Sequence, residues 1–200
     1  MKMKSFLAIL FFIISYQFTT AQSSMGFRVE PIVYSANYEK IYSPMIMNTD
    51  EFSATKVAIG IGLSYTNNVT ETISLSFKPT YIFGELFCGI NLGLIASYDI
   101  SEKVYLLGGT NLLFSGIGST ASGRFISAEK NTIPFIAFGA GYKVSPNVPF
   151  EIQFNIPLND NSYGNVWQYE ASVNNSVTST KFYNVQWMIK LSAGLDFLEI

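Results

Sequence analysis

Five charged side chains stand at alternate-residue positions in stretches that otherwise read as strands: Arg28, Glu30, Lys78, Glu151 and Lys190. The amides Asn91, Asn111, Gln153, Asn155 and Gln186 occupy comparable positions. Paired carboxylates can perform acid–base chemistry, but Glu30 and Glu151 each have lysine or arginine available and read more simply as salt-bridge partners. The chain contains no histidine, which removes every nucleophilic mechanism that relies on an imidazole base. Cys88 is the single cysteine, so no internal disulfide forms, and no Cys/His spacing suits a metal. The glycines match neither a phosphate loop nor a dinucleotide fingerprint, because no helical pattern follows them. No enzyme activity, cofactor or metal is therefore expected. With three positive and two negative charges, the set reads as a self-satisfying polar interior.

The elements that would carry these residues are strands with two unlike faces. The pattern is clearest near the C-terminus, where Tyr183, Val185, Trp187, Ile189, Leu191, Ala193, Leu195 and Phe197 alternate with Asn184, Gln186, Met188, Lys190, Ser192, Gly194 and Asp196. A period of two separates these sets onto opposite faces of a strand, whereas a helix would mix them. Val57 to Tyr65, Ile73 to Tyr81 and Phe150 to Ile156 repeat the pattern. The segments 86–98, 103–115 and 132–144 are more apolar on both faces, and 25–35 makes a weaker first strand. Eight strands are thus expected, of about the 9–11 residues needed to cross a bilayer at a tilt. Charged residues amount to only 13% of the chain and hydrophobic ones to 48%. A water-facing surface usually carries about 25–35% charged residues, so the apolar faces are expected to meet lipid and the polar faces a lumen.

Connection lengths alternate in the same sense. Residues 66–71, 83–85, 99–102 and 145–149 read as short turns, with 36–55, 116–131 and 159–180 as long polar loops. Transmembrane barrels have short turns at the periplasmic end and longer loops outside. Aromatic residues fall near strand ends in two groups, Phe27, Tyr65, Tyr98, Tyr142, Phe150 and Phe197 on the turn side and Tyr81, Phe83, Phe114, Tyr183 and Trp187 on the loop side. Two such girdles mark headgroup levels. Pro79, Pro134 and Pro157 are expected near the loop-side rim, where a lost ladder bond is tolerated.

The N-terminus supplies the address. Lys2 and Lys4, the apolar run Phe6 to Ile14 and the small-residue site Thr19-Thr20-Ala21 make a secretory leader over 1–21, with the barrel domain over 22–200. Removing the two lysines leaves 10 basic and 14 acidic residues (12 − 2 against 14), a net charge of −4, which argues against a nucleic-acid partner.

In this organisation, from Gln22 to Ile200, the chain resembles the small outer-membrane barrels typified by the OmpA membrane domain, OmpX and OmpW. The strand Tyr183–Phe197 resembles the closing strand that such barrels present to the assembly machinery, although the residues after it are Leu198-Glu199-Ile200. The resemblance implies an all-β, eight-stranded, antiparallel up-and-down transmembrane barrel of the bacterial outer membrane. It also implies a non-enzymatic structural or interaction role in the envelope, with the lipid bilayer as its main partner. The loop residues Tyr42, Tyr163, Trp167 and Tyr169 are candidates for recognising an envelope protein. A narrow, porin-like channel through the lumen, and a secreted lipocalin-like binding barrel with an apolar core, are the alternatives.

Overall fold

A computed structural model describes residues 23–43, 49–84, 88–115, 131–158, 170–171 and 177–199. The expected leader, over 1–21, lies outside the described residues.

The strands are β1 (Ser23–Ser43), β2 (Thr49–Asn68), β3 (Ile73–Gly84), β4 (Cys88–Asp99), β5 (Val104–Ser115), β6 (Asn131–Ser145), β7 (Val148–Pro157), β8 (Glu170–Ala171) and β9 (Val177–Glu199). Each pairs antiparallel with the next up to β7, β7 pairs with β9, and β9 returns to β1. Eight strands therefore close an up-and-down barrel, and the two-residue β8 adds only to the loop-side end of β9. Closure leaves no free sheet edge around the wall, which is what lets strands cross a bilayer with their backbone groups paired.

The two faces obey the alternation. Along β3 every second residue from Ser76 to Gly84 is buried, and Ile73, Leu75, Phe77 and Phe83 are exposed. The exposed set elsewhere includes Ile59, Ile61, Leu63, Leu94, Leu106, Phe138, Ile152, Leu191 and Leu195. The buried set includes Arg28, Glu30, Lys78, Glu151 and Lys190. A soluble barrel has the opposite arrangement, and a continuous apolar wall of this extent would aggregate in water. The wall is that of a membrane barrel.

Three expectations are corrected. Both flanks of the expected 36–55 loop are strand: the β1–β2 ladder runs unbroken to Ile41 opposite Thr49, with Tyr38 paired to Phe52 and Lys40 to Asp50. Likewise β9 begins at Val177, inside the expected 159–180 loop. Polar composition marks where a strand leaves lipid, which need not be where it ends. Pro79 lies at mid-strand, not at the rim. The β2–β3 ladder is interrupted there between Gly62–Thr80 and Tyr65–Phe77, while Pro134 and Pro157 do sit near the loop-side end. The third is Gln186, which is exposed and does not face the lumen.

Candidate functional site: a graded lumen

The inward side chains change character along the barrel axis. At the turn end, Ser74, Ser76 and Ser97, with Thr66, Asp99, Lys143 and Asp196, line a polar cavity of about 170 Å³ that also reaches Arg28, Tyr105 and Glu151. Lys143 Nζ donates to Asp99 Oδ2 at 2.9 Å at its rim, where both side chains are partly exposed.

Deeper in, charges meet in pairs. Lys78 Nζ lies 2.6 and 2.7 Å from the two carboxylate oxygens of Glu151. The Tyr105 hydroxyl donates to Glu151 Oε1 at 3.0 Å, and Gln153 Nε2 donates to Oε2 at 3.1 Å. Arg28 Nη2 donates to Asp196 Oδ1 at 2.9 Å, and its Nε donates to Ser64 Oγ at 3.1 Å. Lys190 Nζ stands 3.7 Å from Glu30 Oε2. These three pairs set three cations against three carboxylates. Charges this deeply removed from water persist only when paired and hydrogen-bonded.

Glycine makes the room. A Cβ on Gly194 would strike the Arg28 guanidinium, and one on Gly141 would strike the Tyr105 ring. These two side chains lie flat across the inner wall only because the opposing strands offer bare backbone there.

An amide relay follows. Asn91 Nδ2 donates to Asn111 Oδ1 at 3.2 Å, and Asn111 Nδ2 donates to Asn155 Oδ1 at 2.6 Å. Asn155 Nδ2 ends the relay on the Met188 carbonyl at 3.4 Å.

Beyond the amides, toward the loop side, the lumen is mainly apolar, with the Tyr34 hydroxyl and Lys56 as polar groups at that level. Ile32, Tyr34, Ile82, Leu113, Ile133, Phe135, Val185 and Met188 form one cluster, each at most 2% exposed. Seven of these eight are aliphatic, thioether or plain phenyl groups. They pack against one another inside the barrel, as the width of eight strands allows.

Among the sequence candidates, Arg28, Glu30, Lys78, Asn91, Asn111, Glu151, Gln153, Asn155 and Lys190 are thus brought together inside. Gln186 is not. The β1–β9 register shifts between Ser35–Trp187 and Ala36–Val185, leaving Gln186 as the extra residue of a bulge. Gln186 is exposed there, its Oε1 accepting from Ser35 Oγ at 3.2 Å, and Val185 turns inward in its place. The Tyr42 backbone pairs with Thr178 on β9. The Tyr42 side chain and all of Tyr163, Trp167 and Tyr169 lie outside the described residues.

Sequence reasoning missed Asp196 as a charge partner, although it stands in the polar set of the last strand. It also missed Tyr105 and the apolar layer. The signal for that layer was the apolar character of both faces of 103–115 and 132–144, which puts Leu113, Ile133 and Phe135 inside.

No protein-family model matches the chain, and no curated protein matches it. Solved structures of similar shape include Neisserial surface protein A, at 18% identity over 86% of this chain and 97% of that one, with a TM-score of 0.41. The N-terminal β-barrel domain of Pseudomonas aeruginosa OprF is 16% identical over 88% of this chain and 99% of its own, at 0.43. The outer membrane protein OprG from Pseudomonas aeruginosa is 9% identical over 88% and 96%, at 0.44. Likeness at this level concerns barrel architecture and reaches no residue role.

Proposed function

We propose that this chain is exported by its 1–21 leader and embedded in the bacterial outer membrane as a non-enzymatic barrel with a closed lumen, serving a structural or interaction role in the envelope. The observation that carries the reading is the apolar layer at the loop side of the bore. An ion entering the turn-end cavity would meet three charge pairs, then an amide relay, then packed Ile82, Leu113, Phe135 and Met188. Crossing that layer would strip its water with little but the Tyr34 hydroxyl and the Lys56 side chain in exchange, a cost on the order of a few kcal/mol. The lumen chemistry therefore serves the barrel itself, and contact with partners falls to the loop side, where β1, β2 and β9 run to 21, 20 and 23 residues against 10 for β7.

The channel alternative is separated by conductance of the folded protein in planar bilayers. The closed-lumen reading expects no stable openings. Reproducible steps whose ion selectivity reverses on Lys78→Glu would overturn it.

A further inference from the structure

The lipid-side wall carries a hollow of about 690 Å³ in its turn-end half, lined by Pro31, Ala140, Tyr142, Phe150, Leu191 and Ala193 among others. Its origin is local. On the barrel's closing seam, Val29 faces Ala193 and Ile32 faces Lys190, but no bridge joins Pro31 to Leu191 between them. Proline has no N–H to give that ladder. Ala140 and Ala193 contribute small side chains to its lining, beside the larger Tyr142, Phe150, Ile152 and Leu191, all about half exposed. The volume lies within the roughly 300–1,000 Å³ of ligand-sized clefts.

We infer that this hollow seats one acyl chain of a phospholipid from the bilayer leaflet at the turn end. The inference rests on the lipid-facing reading of the wall. Two further observations select the occupant. First, the hollow starts beside Tyr142 and Phe150, which pair with each other a few residues from the 146–147 turn, and extends past Ile152 and Leu191 toward mid-barrel. An aromatic pair at the headgroup level opening onto an apolar trough directed inward follows the course of a lipid tail. Second, a two-fold dimer would bring this patch against its own copy. Hollow would then face hollow, leaving a void whose lining forfeits dispersion contacts. A flexible chain fills a concave trough; a second rigid barrel does not. Because hydrocarbon surrounds the whole wall, the selectivity comes from packing and not from removal of water.

The test is native mass spectrometry of the folded protein released from micelles after incubation with palmitoyl-oleoyl phosphatidylethanolamine. Wild type is expected to retain one phospholipid at collision energies that strip the rest. Ala140→Phe/Ala193→Phe, which fills the trough, should lose that adduct, and Ala96→Phe, elsewhere on the exposed wall, should keep it. An adduct equally retained by the filled variant, no retained adduct in wild type, or a dimer that the filled variant abolishes would each overturn the proposal. Fluorescence of Leu94→Trp in a Trp167→Phe/Trp187→Phe background, in vesicles of the same lipid brominated on its oleoyl chain, isolates the underlying reading. Quenching without a retained adduct removes the seat and leaves the lipid-facing wall; absence of quenching removes both.

Discussion

The Lys78–Glu151 pair offers the sharpest measure of whether the lumen is held by its charges. Both side chains are about 5% exposed or less, and both carboxylate oxygens are engaged by the ammonium. Removing one member of a buried pair typically costs about 3–5 kcal/mol, because the other charge is stranded. Lys78→Met leaves Glu151 with two donors, Tyr105 and Gln153, which puts its cost near the lower end, about 3 kcal/mol. Glu151→Gln leaves the ammonium facing an uncharged amide and belongs nearer the upper end, about 4 kcal/mol. In Lys78→Met/Glu151→Gln no charge is stranded, and the amide oxygen still accepts from Tyr105. That double variant should lose only about 1–2 kcal/mol, the scale of one imperfect buried hydrogen bond. The assay is reversible urea unfolding from lipid vesicles, read by the gel mobility that separates folded from unfolded barrels. A double-mutant cycle should then give a coupling of several kcal/mol, well beyond the few tenths expected of independent sites. A double variant as unstable as the sum of the two singles would refute the reasoning, since it would mean that each residue acts through packing and not through its partner.

Other expectations follow from the same geometry. Gly194→Val should drive Arg28 off the inner wall and destabilise the folded barrel by more than Gly108→Val, because a Cβ at Gly108 meets nothing within 4 Å; urea midpoints of the two variants decide it. Ile61→Arg places a charge on the exposed wall and should cost about 2–4 kcal/mol if that position is near mid-membrane, with an unchanged midpoint counting against the facing assignment. A cysteine at Ser76, in a Cys88→Ser background, should react with a small thiol reagent supplied from the turn end, whereas one at Asn91 should stay protected behind the charge pairs; equal labelling of both would mean that the bore is open further than its packing implies.

Much of the architecture was legible because a membrane barrel writes its two solvents into alternate residues. Phe150 to Ile156 illustrates this: the outward Phe150, Ile152 and Ile156 contrast with the inward Glu151, Gln153 and Asn155, and no other element gives that period. The charge cluster was legible for the same reason. Strand ends were not. Around Tyr38 and Lys40 the polarity rises although the ladder continues, because a hairpin standing clear of lipid can be polar on both faces. Pairing depends on backbone groups that every residue supplies, so composition shows the solvent and not the hydrogen bonding.

The lumen was less legible than the wall because inward positions answer to their neighbours across the bore. Arg28 and Asp196 are 168 residues apart, and nothing local marks them as a pair. Parity itself also has a weak point. Period-two reasoning assigns every residue of a strand from any one of them, so a single inserted residue reverses everything on its far side. That happens at Gln186. From Met188 to Leu195 the assignment of faces is the simple alternation, but across the bulge Val185 joins Phe135 in the apolar layer and Gln186 turns outward. The bulge is thus what keeps the layer apolar at this point: without the extra residue, an amide would stand where Val185 packs, and it would lack the partner it has in Ser35.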